Sequence, residues 1–446
     1  MTGSHASSPE HPPGDLPGDV RDALREIMDR EQQLDAADDL DQWLPPGKVI
    51  DASVVFMTHY IPLYQVRVLQ EIARRVRRFR VLLSTPIEPN RDFELDWGKL
   101  DVDVQKSWTF RRRWTDRKTG FEDPLFIHLP YDTFGQLRSF SPDVILSMEL
   151  GARSIAASIY RRFSSRARLV LCTYMSQHTE QSRGSMRSLI RGRLLRQADA
   201  VTYNGPSCRE YLRQLQVPDD DLFHLPYAAD DRNVPACMPT KDDTACRGRL
   251  LCVGQLSQRK GVVPMLHSLC EYARKHTDRK LDIVFVGEGS MRDELRNISM
   301  PENLTIRMEG IVPAARIPEF AATCGAAIAP TLADEWLLVT NESLHQGLPL
   351  IGSRYAQSVE TLIRDGVNGW SYDPLQSESL HASLDAYFAL DSAAYQTMRE
   401  TCVRSIAHRT PAWAAAGALQ AIGHVLRQRD GEIALTDNAT EVNGEP

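Results

Sequence analysis

Three charged residues, Lys260, Asp334 and Glu342, stand where the chain turns out of apolar runs, and their types suit a phosphorylated ligand. Lys260 lies in GQLSQRKG, just after the apolar run 250–253, and so falls past a strand and at the head of a helix. A lysine there adds a point charge to the positive end of the helix dipole, a combination that suits a diphosphate. Asp334 and Glu342 lie in PTLADEWLLVTNESLHQGLPLIGS, residues 330–353, where two acids, a turn and a helix start are set between two apolar runs. The helix start aims unpaired N–H groups at the loop before it, and an anion sits well there. Asp101-Val102-Asp103 has the D-x-D form of a metal-binding triplet, but among 59 acidic residues such a triplet is expected by chance.

These residues need a scaffold to hold them. Residues 326–329 are short and apolar like a buried parallel strand, 342–346 have helical character, Gly347 stops that helix, and 348–351 are apolar again. In such a unit the loop lies at the carboxyl edge of the sheet. The alternation continues around it, with strands expected at 250–253, 283–286 and 305–308 and helices from 261 and at 291–297, 317–323 and 359–363. An earlier series begins at residue 48, with strands at 54–57, 79–83, 144–148, 169–173, 200–203 and 222–226 and helices at 63–76, 153–162, 185–197 and 208–215. Residues 88–120 look irregular, and their tryptophans Trp97, Trp108 and Trp114 suggest an insertion with its own small core. The fold class is α/β, with two doubly wound Rossmann-like domains facing across a cleft. The boundaries read as a disordered or helical acidic tail over 1–47 (a helix fits 20–43), a first domain over 48–232, a linker over 233–248 and a second domain over 249–408. A helix over 409–428, placed to return to the first domain, and a disordered tail over 429–446 complete the chain.

A formal net charge of -7 and a pI near 6.0 argue against a general nucleic-acid binder. Charge is uneven, because residues 48–232 are basic and the remainder is acidic. Arg74, Arg75, Arg77, Arg78 and Arg80 cluster and read first as a solvated face and second as a surface for an acidic lipid or anionic acceptor; with Arg187, Arg191 and Arg196 to one side of an expected helix, the second reading gives a peripheral contact with an anionic membrane. The eight cysteines form no Cys-x-x-Cys pair and read as buried free thiols of a reducing compartment. No apolar run approaches the ~20 residues that span a bilayer, and residues 1–46 are unlike a signal peptide. A cytoplasmic protein, peripheral on the inner face of the membrane where it touches one, is the expectation.

In register, these features resemble glycosyltransferase family 4, the retaining, sugar-nucleotide-dependent transferases of GT-B fold. In that signature an acid follows a Pro-Ser-like pair and a Glu opens the helix before a Gly-x-Pro-(Val/Ile)-Ile strand; Pro330, Asp334, Glu342, Gly347, Pro349 and Ile351 stand at the matching places. Gly254-Gln255-Leu256 followed by Lys260-Gly261 is similar to a second signature, and Val286-Gly287-Glu288-Gly289 to a third. The resemblance implies a donor site in the second domain formed by Gly254, Gln255, Arg259, Lys260, Gly287, Glu288, Gly289, Asp334, Val339, Thr340 and Glu342. In it Glu342 accepts from ribose hydroxyls, Asp334 holds hydroxyls of the donor sugar, and the N–H groups of Val339 and Thr340 meet the diphosphate beside Lys260. It also implies a first-domain histidine facing the reacting sugar, for which His178 is the candidate, so that His178, Asp334 and Lys260 carry catalysis. No cofactor and no metal are expected, the nucleotide-sugar being a substrate. Two residues depart from the commonest pattern: Leu337 stands where glycine is usual, and Gln255 where arginine is frequent, a charge that Arg259 supplies only if it turns inward.

Acceptor-side candidates are His59, in the loop after the first strand, and Glu180 and Arg183, which share the loop of His178. Thr58-His59-Tyr60-Ile61-Pro62 replaces a Gly-rich turn found in many relatives, so the acceptor-side floor differs. The activity implied is retaining transfer of a hexosyl-type sugar to a hydroxyl of a glycan, lipid-linked sugar or small molecule, as in polysaccharide or glycoconjugate synthesis. Leu337 and Gln255 keep open a second reading, a catalytically silent GT-B protein that binds a sugar nucleotide or a partner transferase. An epimerase or phosphorylase of the same fold is a third.

Overall fold

The computed structural model describes residues 40–89, 95–115, 120–180, 185–234 and 246–438, with a few residues before Leu40. Most of the helix expected over 20–43, Arg183, Cys237 and most of the linker lie outside the described residues. Two parallel sheets form the molecule. In the first, β1 (Lys48–Thr58), β2 (Val76–Leu83), β3 (Val102–Val104), β6 (Val144–Met148), β7 (Arg168–Cys172), β8 (Ala200–Tyr203) and β9 (Leu222–His224) lie in the order β3-β2-β1-β6-β7-β8-β9. In the second, β10 (Arg249–Val253), β11 (Leu281–Val286), β12 (Leu304–Met308), β13 (Ala326–Ala329), β14 (Leu350–Ser353) and β15 (Gly369–Tyr372) lie in the order β12-β11-β10-β13-β14-β15.

Continuous apolar runs explain the central strands, since helices cover both faces of a parallel sheet. In β1 every residue from Ala52 to Thr58 is buried. The helix Leu63–Arg74 buries Val66, Leu69 and Ile72 at helical spacing, and residues 411–430 add a further cover from the other end of the chain. The helix Pro411–Asp430 starts on a proline at its first turn, with Thr410 capping the Trp413 N–H. Its Ala414, Ala418, Ala421, Ile422 and Val425 enter the core of the first domain together with Leu69 and Val170.

Each sheet reverses its winding at one place. Chain order leaves β1 for β2 on one side and returns to β6 on the other, with Val54 paired to Val144; it leaves β10 for β11 and returns to β13, with Leu250 paired to Ala326. The crevice beyond the carboxyl ends at such a reversal is where open α/β sheets bind ligands. Cross-domain hydrogen bonds show that the two carboxyl edges face one another: Asn204, after β8, donates to the Glu335 carbonyl at 3.1 Å, and Gln357, after β14, to the Tyr174 carbonyl at 2.9 Å.

Three expectations are corrected. Among the described residues the insertion at 88–120 does not gather its tryptophans into one core: Trp97 joins the first-domain core and Trp114 meets the buried Phe121, while Trp108 is 61% exposed on a two-stranded antiparallel ribbon, β4 (Ser107–Thr115) with β5 (Glu122–Pro130). The tail expected to be disordered contains β16 (Leu435–Asp437), antiparallel to the start of β1 with Lys48 opposite Asp437. Arg191 does not share an exposed face with Arg187 and Arg196, because it is buried against Glu180. The arginines from Arg74 to Arg80 are engaged with Glu71, Asp41, Asp51, Asp101 and Asp103, and Arg78 lies over the Phe140 ring. That strip is an ion-paired face.

Candidate active site in the interdomain cleft

The loops at the second reversal hold the first cluster. After β10 the chain passes Gly254 and a short turn, Gln258–Lys260, and enters the helix Val262–Lys275 through Gly261. Gly261 has φ of +65°, and a Cβ there would stand 2.2 Å from the Pro330 carbonyl oxygen, so only glycine lets the lysine loop pack on the loop after β13. The Leu332 N–H then donates to the Arg259 carbonyl at 2.8 Å, locking the two loops together. Gly287 makes the other close approach: a Cβ would lie 2.0 Å from the Gly254 carbonyl oxygen. Gly254 itself borders open space, in a recess lined by Gln255, Lys260, Pro330, Thr331 and Leu337.

Asp334 is the focus of this cluster. Lys260 Nζ lies 2.5 Å and Arg259 Nη1 3.3 Å from the same Asp334 carboxylate oxygen, Oδ2. Arg259 therefore turns inward and sets a second cation beside Lys260, where Gln255 supplies none. Burial pushes the Asp334 carboxyl up, but Lys260 first, then Arg259, hold it at about 2. Glu342 sits in the first turn of the helix Val339–His345 with no side-chain hydrogen bond among the described residues. Burial, and next Asp230, raise it to about 7. A half-buried carboxylate without a donor is a site awaiting one.

Leu337 adopts φ of +75°, the left-handed conformation that glycine takes readily, and its side chain is buried. Its carbonyl accepts from Ser358 Oγ at 3.0 Å and from the Thr340 N–H at 3.1 Å, which fixes the turn into the helix. The Thr340 N–H is thereby used within the turn, and its hydroxyl pairs with Ser358 at 2.7 Å. Of the expected donor residues, Glu288 is drawn away by an ion pair with Arg292, and Gly289 packs against the Leu256 carbonyl.

A second cluster, largely missed from sequence, sits at the reversal of the first sheet. Glu149 follows β6 at φ of +65°. Its carboxylate accepts from the Tyr174 hydroxyl at 2.5 Å and from Arg153 Nη2 at 2.8 Å, and His59 Nδ1 lies 3.4 Å away. Burial raises this carboxyl, yet His59 first and Arg153 next bring it down to about 2. The signal for Glu149 was its place directly after a strand; SMELG has no motif to mark it. Tyr227 is in ring contact with Tyr64 and Trp336, and burial, then Tyr64, Glu335, Asp334 and Glu149, raise its phenol well above the ordinary value.

The remaining first-domain candidates separate. His178 reaches across the cleft and stacks on Tyr355 with ring centroids 4.9 Å apart and planes 2° off parallel, at the edge of an opening lined also by Glu210, Arg354 and Glu360. His178 and Glu180 lie on a short helix, Gln177–Glu180, where the sequence reads as a loop, and Glu180, buried in its ion pair with Arg191, holds that turn to the helix Ser185–Leu195. It does not line the cleft opening. Asp101 and Asp103 both meet Arg80, and among the described residues no group of three or more metal-ligand side chains occurs.

Two family models match the chain, one on each side of the linker: Glycosyl transferase 4-like domain over residues 64–228 and Glycosyl transferases group 1 over residues 247–388. With the two facing sheets, they make this chain a glycosyltransferase of GT-B architecture. Solved structures agree in fold. A lipopolysaccharide outer core galactosyltransferase, WaaB, in its apo form is similar at 13% identity and a TM-score of 0.60 over 83% of this chain and 99% of its own. HepE of Anabaena in complex with UDP and glucose is similar at 16% identity and a TM-score of 0.60 over 83% of this chain and 98% of that one. Sucrose-phosphate synthase from Thermosynechococcus elongatus is similar at 14% identity and a TM-score of 0.60 over 84% and 98%. Among curated proteins no sequence matches the chain.

Proposed function

We propose that this chain is a retaining glycosyltransferase that moves a sugar from a nucleotide-sugar to a hydroxyl acceptor. The observation that carries the reading is the convergence of Lys260 and Arg259 on Asp334, with the unpartnered Glu342 in the first turn of the next helix. Two cations in a half-buried recess suit a diphosphate, and a carboxylate without a donor suits the ribose diol. HepE was solved with UDP, which fits a nucleotide in this place.

In the reaction the bond between the sugar's anomeric carbon and the diphosphate oxygen breaks, and the acceptor oxygen bonds to that carbon on the same face. The acceptor proton passes to the departing diphosphate. Lys260 and Arg259 take up the negative charge that develops on the leaving group, an interaction stronger in the transition state than before it. Asp334 orients the donor sugar, and the His59, Glu149 and Tyr174 cluster orients the acceptor hydroxyl. Turnover needs no divalent metal, because the cations already present do its work on the phosphates; activity that disappears with EDTA and returns with Mn²⁺ or Mg²⁺ would overturn that. The two departures that favour a silent protein have local answers, since Arg259 provides a charge and Leu337 keeps the left-handed turn. The seven cysteines among the described residues are buried and form no disulfide, which suits a reducing compartment.

The deciding experiment is release of nucleoside diphosphate from a panel of nucleotide-sugars, with the anomeric configuration of any product read by NMR. Release from one donor with the configuration kept is the expected result. Binding without release across the panel would favour the silent reading, and an inverted product would exclude retention.

A further inference from the structure

The exposed apolar side chains of this protein are concentrated. Apart from Ile311 and Leu375, every large hydrophobic residue exposed among the described residues belongs to the first domain. Six of them lie on three neighbouring helices: Phe134 on Thr133–Phe140, Ile155, Ile159 and Phe163 on Ala152–Phe163, and Leu189 and Ile190 on Ser185–Leu195. Phe134 and Tyr160 are in ring contact, and the helix Ala152–Phe163 packs against both of the others. Ile155 and Ile159 are one turn apart, Phe163 follows at 82% exposed, and Leu189 is 68% exposed. Rims of this kind on a monomer mark an interaction site.

Charge decides the partner. None of the three helices contains an aspartate or glutamate. Arg162 and Arg193 are exposed on them and make no ion pair among the described residues, in contrast to the arginines from Arg74 to Arg80, most of which meet acids. An acid-free face that combines protruding apolar side chains with unpaired arginines matches a surface of negative headgroups over hydrocarbon. A second copy fits poorly, since a two-fold contact would bring arginines against arginines. We propose that this three-helix face of the first domain docks on an anionic lipid bilayer. The inner side of the helix Ser185–Leu195 is anchored through Arg191 to Glu180, on the short helix Gln177–Glu180 that carries His178, so the docked face adjoins the cleft.

Flotation of the full chain with phosphatidylcholine vesicles, and with vesicles of phosphatidylcholine and phosphatidylglycerol in equal parts, tests this. The chain should float with the anionic vesicles alone, and less as salt rises. Combining Ile159→Ser, Phe163→Ser and Leu189→Ser should lower vesicle binding about tenfold or more, as should Arg162→Glu with Arg193→Glu, since each arginine contributes about fivefold. Arg74→Glu with Arg77→Glu should bind as wild type. Unchanged melting temperature and nucleoside diphosphate binding show that each variant is folded. No flotation, equal flotation with neutral vesicles, face variants that float like wild type, or loss confined to the Arg74 and Arg77 variant would each overturn the proposal. So would self-association in sedimentation that the serine variants abolish.

Discussion

Leu337 and Glu149 are two non-glycine residues held at positive φ, one on each side of the cleft, and the comparison shows how differently the two domains build a site. On the donor side the backbone does most of the work: glycines let loops touch, and Leu337 preserves a turn that its own side chain disfavours. On the acceptor side the side chains do it, because Glu149 is gripped by Arg153 from the first turn of the following helix and by Tyr174 and His59 from loops after two other strands. A backbone-built site leaves a spacing pattern in the sequence, and a site assembled from side chains of distant segments leaves almost none.

If this contrast is right, the largest effect comes from removing charge on the donor side. Lys260→Ala should lower turnover by about 10²–10³, the usual loss for one group that stabilises a developing negative charge. Arg259 stays within reach of Asp334 in that variant, so the fold should hold. Turnover near the wild-type rate would place the leaving group elsewhere. Glu149→Gln comes next. It replaces an acceptor of charge-assisted hydrogen bonds worth about 1.5–3 kcal/mol each, so kcat/KM for the acceptor should fall roughly tenfold to a hundredfold, while nucleoside diphosphate affinity measured by calorimetry stays put. An equal loss of donor affinity would mean that the two clusters are one site.

The same contrast explains what could be read from sequence. The strands at Val144–Met148, Ala200–Tyr203 and Ala326–Ala329 and the helix Ile317–Thr323 were legible to the residue, because buried parallel strands and amphipathic helices carry their periods openly. The loops around Lys260 and Asp334 were legible through their glycines and spacing. The ribbon of β4 and β5 was not, since Arg111, Arg112 and Arg113 mask the alternation of Trp108, Phe110 and Trp114, and almost all of β4 is exposed. Its start also lies beyond a polar stretch that gives no turn signal. β16 was hidden for another reason: three residues paired to a strand nearly the whole chain away depend on tertiary context alone. The inward turn of Arg259 is not legible in the sequence, because spacing does not say which way a flexible side chain points.

Glu342 offers a smaller and pH-dependent test. Its pKa is raised to about 7, so the folded protein holds this proton more tightly than the unfolded chain does. Stability linked to Glu342 is therefore complete below the ordinary carboxylate range and is lost as pH rises through about 7. Glu342→Gln should raise the melting temperature of the unliganded protein near pH 8 and leave it unchanged near pH 4. Wild-type affinity for nucleoside diphosphate should strengthen as the carboxylate ionises, by at most about tenfold per pH unit for a single proton. The variant should lack that part of the pH dependence. Identical pH profiles for both proteins would take Glu342 out of the ribose site.

The smallest expected effect on binding, and the sharpest test of the backbone-built side, comes from Leu337. Replacing its buried side chain by alanine removes packing worth about 2–5 kcal/mol and retains a Cβ at φ of +75°. Leu337→Gly loses the same packing but relieves about 1–2 kcal/mol of left-handed strain, partly offset by about 0.5–1 kcal/mol for the freer unfolded chain. The usual order, in which a buried alanine is tolerated better than a glycine, should thus be reversed or cancelled here. Because Ser358 and the Thr340 N–H hold the Leu337 carbonyl in place, the turn should survive in both variants. Nucleoside diphosphate affinity should then change by less than about threefold, roughly 0.6 kcal/mol. Melting curves and calorimetry on the two variants decide the matter. A clearly more stable alanine variant would show that Leu337 is not strained, and a tenfold gain in affinity for the glycine variant would show that its side chain, rather than the backbone, limits the donor site.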